Sequence, residues 1–262
     1  MRQLGLEENS VISAVNLSKK YGNVLAVDNI TLNVDKGEVF GFLGPNGAGK
    51  TTTINMLIGM LMPTTGKVYI DGIDVVKDPV KAKSHIGYVP DKPNIYEKLT
   101  ALEIVMFVAK VYGIDENKAY ERAMDLFRKF EIHDRINDLV GSYSHGMKQK
   151  VVITSALIHD PDVIFLDEPT VGLDPKSARL IKDILKDLAR EGKTVFITTH
   201  ILDIAEKMCD RVGIIKKGKL LAVGSLDELR SLTRDTDASL EDLFLELTEK
   251  DDNLTENDQS EV

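Results

Sequence analysis

The apolar–polar pattern of this chain changes period twice. Between residues 11 and 43 it runs in short alternating stretches, 11–15, 30–34 and 38–43, separated by turn residues at Gly22-Asn23 and Lys36-Gly37. These predict strands. Residues 51–57 read as a helix, 63–66 as a turn, and 67–70 and 86–89 as further short strands. From about residue 100 to 159 the period becomes helical. Leu102, Val105, Met106 and Ala109 share one stripe, Ala119, Ala123, Leu126 and Phe127 another, and 145–158 supplies a third helix. The uncharged run 104–109 is expected to be core. After that, strands (163–166, 194–198, 211–215) alternate with helices (176–190, 202–208), which predicts a parallel sheet. The expectation is an α/β fold: a mainly parallel core, an N-terminal antiparallel β subdomain, and a helical subdomain at about 91–155 inserted between the two halves of the sheet. Leu240, Leu243, Phe244 and Leu247 recur at helical spacing and predict a short C-terminal helix docked on the chain's own core.

Composition sharpens the picture at its edges. The chain has 262 residues, 43% hydrophobic and 29% charged, enough to bury a full core. The longest uncharged stretch, 51–66, is short for a membrane span and contains Pro63. The N-terminus has no apolar run of signal-peptide length, so the chain is expected to be cytosolic. A single cysteine, Cys209, excludes an internal disulfide and a cysteine metal site, and reads as a small buried hydrophobe. The net charge of −9 is concentrated at the C-terminal end, where residues 235–262 carry eleven acidic side chains against Lys250. The body is near neutral. No basic face argues for nucleic acid. Residues 249–262 are too polar and acidic to pack and are expected to be a disordered tail.

The chemistry begins after the strand ending at Leu43. Gly44-Pro45-Asn46-Gly47-Ala48-Gly49-Lys50-Thr51 spells G-x-x-x-x-G-K-T, between a strand and a helix, the context a phosphate loop requires. Backbone amides of the glycine-rich turn and the helix N-terminus point at an anion. Lys50 would reach the β/γ-phosphates, and the Thr51 hydroxyl would hold Mg²⁺, with Thr52 beside it on the helix start. Far along the chain, the apolar run Val163-Ile164-Phe165-Leu166 ends in Asp167-Glu168. A buried strand of that kind aims both carboxylates at the mouth of the sheet. Asp167 would then serve the metal and Glu168 would polarise an attacking water.

Together with Gly172-Leu173-Asp174-Pro175, these residues resemble the ATPase subunit of ABC (ATP-binding cassette) transporters, and most closely the branch that powers ABC-2-type exporters. The resemblance covers about residues 11–247. It implies a P-loop NTPase (RecA-like) fold for an ATPase domain at 11–235, followed by a C-terminal helix at 236–248. It implies further roles, residue by residue. Tyr21 sits where the family stacks an aromatic ring on adenine. Tyr143-Ser144-His145-Gly146-Met147 matches the family signature, keeping only the serine and the second glycine. Ser144, His145, Gly146 and Met147 would thus meet the γ-phosphate of an ATP held by a partner cassette. His200 matches the switch histidine that contacts the γ-phosphate and positions water. Asp174 matches the loop that crosses the dimer interface. Asp91 stands where the family usually has glutamine. It keeps a hard oxygen for Mg²⁺, through water, and adds a charge.

The resemblance implies an ATP-hydrolysing subunit of an export complex, with ATP and Mg²⁺ as ligands. Its partners would be a second cassette, a homodimer being favoured because both half-sites look competent apart from Asp91, and a separate transmembrane permease. The helical subdomain would carry the groove that receives the permease. The chain would lie at the cytoplasmic face of the membrane. The alternative is a soluble or regulatory cassette not coupled to a transporter; intact Lys50, Asp167, Glu168 and His200 argue against a cassette that only binds nucleotide.

Overall fold

The computed structural model describes residues 9–231 and 239–247. The acidic tail expected at 249–262 lies outside them, as do 236–238 and 248 of the expected C-terminal helix. Two sheets pack across the phosphate-loop helix. The first is antiparallel, in the order β2-β1-β4-β5, from β1 (Ser10–Tyr21), β2 (Val24–Asp35), β4 (Thr65–Ile70) and β5 (Ile73–Asp74). The second has the order β10-β9-β3-β8-β7-β6. Its strands are β3 (Val39–Leu43), β6 (Ile86–Val89), β7 (Val163–Asp167), β8 (Thr194–Thr199), β9 (Arg211–Lys216) and β10 (Lys219–Gly224). All of its pairings are parallel except β9–β10.

The burial pattern explains the division. Every residue of β3, β7 and β8 is buried, as a sheet covered on both faces demands. Their apolar side chains form an aromatic cluster in which Phe40, Phe42 and Phe165 each approach Phe196, with centroids 5.3 to 5.7 Å apart. By contrast β1 and β2 expose much of their length towards the hairpin turn. Thus β3, which follows the antiparallel hairpin in sequence, leaves it for the middle of the parallel sheet. There it pairs with β8 and β9 on either side.

Between β6 and β7 lie three helices, α3 (Ala101–Val111), α4 (Glu116–Lys129) and α5 (His145–Leu157), packed around Val105, Ala123, Phe127, Phe130, Val140 and Val151. A capping box starts α3, with the Thr100 side chain bonded to the Glu103 amide and the Glu103 carboxylate to the Thr100 amide. Asp115 caps α4. Other helices are α1 (Lys50–Leu57), α2 (Pro79–Ser84), α6 (Pro175–Arg190), α7 (Leu202–Met208) and α8 (Leu226–Arg230). A further helix at 240–247 buries Leu240 and Leu243 against Leu43, Val212, Ile214 and Leu229, with Phe244 and Leu247 packed on the same cluster. No helix among the described residues is long and apolar enough to cross a membrane.

Three expectations need correction. Strands β1 and β2 are each twelve residues long, because polar residues near Tyr21 extend the hairpin without contributing apolar alternation. The run 104–109 is not all core. Ile104, Val105 and Ala109 are buried, whereas Phe107 is 62% exposed, because the helical turn rotates it away from the stripe. Cys209 keeps some exposed surface. Its thiol is nevertheless pushed up to about 12 by burial and by the neighbouring Asp210.

Candidate active site

Parallel register brings the expected chemistry to one rim. Leu43 pairs with Thr199, and Asp167 with Thr198, so β3, β7 and β8 end side by side. The residues that follow these ends, from Gly44, Glu168 and His200 onward, emerge together at the carboxyl edge, where open α/β sheets bind ligands.

The phosphate loop leaves β3 under tight steric limits. A Cβ on Gly44 would lie 2.3 Å from the Ile215 carbonyl oxygen. Gly49 closes the loop at φ 109, in the left-handed region, and caps α1 without a side chain. The first-turn amides of α1 are therefore left for an anion. Lys50, 7% exposed, donates from Nζ to the carbonyls of Gly44 at 2.8 Å and Pro45 at 3.2 Å, and lies 3.7 Å from Glu168 Oε1.

Asp167 is 3% exposed and held from two sides. The Thr51 hydroxyl donates to its Oδ2 at 3.1 Å, and the Thr198 hydroxyl donates to its Oδ1. Glu168 adopts φ 51, a left-handed conformation that costs a non-glycine residue about 1–3 kcal/mol. Its backbone amide is held by the Thr198 carbonyl at 3.1 Å. Its Oε1 accepts from His200 Nδ1 at 2.9 Å, while its Oε2 is buried with no hydrogen-bond partner. A cleft of about 330 Å³ opens here, lined by Asn46, Gly47, Gly49, Lys50, Thr51, Thr52, Asp91, Asp167, Glu168 and Ala26. Burial, reinforced by the nearby Asp167 and Asp91, pushes the Tyr88 phenol up to about 12.

The other expected residues lie elsewhere. Ser144 caps α5, accepting from the Met147 amide at 3.3 Å. Ser144 and His145 are exposed and Gly146 is buried. Asp174 caps α6, accepting from Ser177 N at 2.9 Å, and these bonds hold its carboxyl below the usual range. The two caps are neighbours: a Cβ on Gly146 would lie 3.1 Å from Ser177 Oγ and 3.5 Å from Asp174 Oδ2. None of Ser144–Met147 or Asp174 lines the phosphate cleft. Tyr21 also stands apart from it. It ends β1 at the hairpin turn, half exposed, with Lys19 Nζ 5.2 Å from its ring centroid.

The sequence profile of the ABC transporter family matches residues 27–171. The linearmycin resistance ATP-binding protein of Bacillus subtilis is 40% identical over 221 residues, spanning 84% of this chain and 71% of that protein. The chain belongs to the ABC transporter family. It is an ATP-binding, ATP-hydrolysing cassette with the family's P-loop NTPase fold. A solved ATP-binding subunit of an ABC transporter superposes with a TM-score of 0.86 at 34% identity, over 91% of this chain and all of that one. A dimeric cassette solved in a post-hydrolysis state with ADP and Pi matches at 0.75 and 30% identity, over 82% of this chain and 98% of that one.

Two residues of the cassette's cleft escaped sequence reasoning. Thr198 holds both Asp167 and the Glu168 amide. Its only sequence signal is its place two residues before His200. Ala26 lines the cleft from β2, and its carbonyl would lie 2.7 Å from a Cβ on Gly49. Nothing in its local sequence marks it.

Proposed function

We propose that this chain drives an export complex: two copies close head-to-tail on two ATP molecules and act on a separate membrane subunit. One observation carries this reading. The cleft residues meet on one rim, whereas Ser144–Met147 and Asp174 cluster outside that cleft, as half-sites that a second copy would complete.

In this reading the α1 amides and the glycine-rich turn take up the phosphates of ATP. Lys50 exchanges its two carbonyl partners for phosphate oxygens. The exposed start of α5, with Ser144, His145, Gly146 and Met147, meets the γ-phosphate of the partner's ATP, and thirteen residues of helix stand behind it. Tyr21 stacks on adenine, and Asp174 crosses between the copies. The Glu168 carboxylate receives the proton of the attacking water, while His200 fixes its Oε1 and faces the γ-phosphate. Lys50 stabilises charge on the transferring group, an electrostatic task.

The donor set fits Mg²⁺. The Thr51 hydroxyl, Asp167 and Asp91 offer hard oxygens on the cleft wall. When bound, the ion neutralises the β/γ oxygens. Thr51 and Asp167 would hold it, with Asp91 acting through water.

The membrane subunit would sit in an apolar groove of about 290 Å³ between the inserted helices and the edge of the parallel sheet. Ile58, Met60, Tyr88, Val108, Tyr112 and His159 line it. A membrane location then follows from the partner and not from this chain.

The test is size-exclusion chromatography of Glu168→Gln with and without Mg·ATP. A shift to dimer with ATP is the expected result. A variant that binds ATP and stays monomeric at every concentration overturns self-pairing.

A further inference from the structure

Two loops that flank the two half-sites are clamped together. The first runs from Asp91, in the phosphate cleft, to the start of α3. The second runs into Ser144, at the start of α5. Gly141 N donates to the Glu97 carbonyl at 2.9 Å, Val140 N donates to the Leu99 carbonyl at 2.9 Å, and Thr100 and Leu139 form an antiparallel bridge. Leu102 N donates to the Ile136 carbonyl at 3.1 Å. Lys148 Nζ, one turn into α5, donates to Glu97 Oε1. The contact leaves no slack. A Cβ on Gly141 would lie 3.0 Å from the Glu97 carbonyl oxygen and 3.4 Å from its Cβ. Val140 is fully buried beneath it.

Five residues lie between Asp91 and Glu97, and two lie between Gly141 and Ser144. The clamp therefore joins the loop that carries Asp91 directly to the loop that carries Ser144.

We propose that Glu97, through Lys148 and Gly141, is a positioning residue that sets the Ser144 helix start relative to the Asp91 loop, so that filling one ATP site orients the half-site offered to the other. This rests on the head-to-tail reading given above. Glu97 is not among the residues that line the phosphate cleft. Its carboxylate acts on the Lys148 side chain, and its carbonyl fixes the Gly141 amide. Replacing the carboxylate leaves the backbone bonds, so the effect is graded.

The test uses full-length protein in the Glu168→Gln background. Three quantities are measured: the Mg·ATP concentration for half-maximal dimerisation, the affinity of the monomer for Mg·ADP, and the melting temperature. Glu97→Gln should raise the dimerisation midpoint about two- to fivefold, the scale of one partly exposed ion pair. ADP affinity and melting temperature should stay unchanged. The charge swap Glu97→Lys with Lys148→Glu should restore the midpoint. A merely structural role would instead lower the melting temperature and leave the swap no better than the single variant. An unchanged midpoint, or a swap without rescue, overturns the proposal.

If Glu168→Gln itself stays monomeric, the head-to-tail reading fails and the clamp is tested without it, by amide exchange in the monomer. Mg·ADP should slow exchange over residues 139–144 in the parent and not in Glu97→Gln. Equal exchange in the parent with and without Mg·ADP overturns the clamp.

Discussion

The phosphate cleft and the Ser144–Asp174 face are built on opposite plans. The cleft hangs from three fully buried parallel strands, and its acids are held by fixed partners: Asp167 by Thr51 and the buried Thr198, Glu168 by His200 and the Thr198 carbonyl. The second face consists of two helix caps, Ser144 on α5 and Asp174 on α6, both exposed. A preorganised, buried site can lower a barrier, because its dipoles do not reorganise during reaction. An exposed cap can recognise an anion but does not exclude water. In the proposed head-to-tail pairing, the difference teaches that chemistry and recognition are separated within one chain and would meet when two chains do.

The comparison breaks first at Glu168. Glu168→Gln should lower steady-state phosphate release by roughly 10²–10⁴-fold, the usual worth of a positioned base, while ATP binding persists. Loss of ATP binding along with hydrolysis would show that Glu168 supports the cleft and does not act in chemistry. Next comes Ser144→Ala. Removing a hydrogen bond to a charged group should weaken ATP-dependent dimerisation by roughly ten- to hundredfold, and the lost cap should cost about 1 kcal/mol of helix stability. Monomer binding of Mg·ADP should not change. If it does, the two faces are not separate.

Thr198→Val probes the cleft's rigidity. It keeps the shape of the side chain and removes the donor to Asp167 Oδ1. Leaving a buried acceptor without its partner should cost about 1–3 kcal/mol in urea unfolding. Phosphate release should fall while the Ser144 face, read by exchange at α5, stays as it was.

How much of this was legible in sequence follows the same division. Asp167 and Glu168 could be placed because a buried apolar strand fixes where its end points, and Lys50 and Thr51 because their motif runs from a strand end to a helix start. Thr198 and Ala26 could not. Their importance comes from register, Asp167 opposite Thr198, and from β2 passing beside Gly49, and these are long-range facts with no local signature. The short elements β5, α2, β10 and α8 were not read as elements at all. Two to six residues carry too little periodicity. Phe107 was misjudged for the opposite reason. An uncharged run looks like core until the 3.6-residue turn is applied, which places Phe107 and Val111 on the outside of α3 and Val105 and Ala109 within.

The smallest expected effect concerns the groove beside the cleft, which shares features of both plans: it is apolar and half-buried, yet open. At its floor His159 stacks on Tyr112, with ring centroids 3.8 Å apart and planes 7° apart, and its Nε2–H donates to the Ile86 carbonyl at 3.0 Å. Its Nδ1 is buried without a partner. Burial pushes the imidazole below its ordinary value of 6.5, the Ile86 carbonyl opposing this in part. The sign follows by linkage. Below pH 6.5 the unfolded chain takes up a proton that the native ring refuses, so the unfolded state binds more protons and stability falls with pH. The stability is fully present above the ordinary value and is lost as pH drops through the lower native one. Melting temperatures recorded from pH 8 down to pH 5 should therefore fall more steeply in the parent than in His159→Gln, by no more than one proton's worth of slope. His85 and its Asp162 partner are the same in both proteins, so the difference between the two curves isolates His159. Parallel curves would mean that the ring is protonated in the native groove. The floor would then present a charge, not an apolar surface, to whatever docks there.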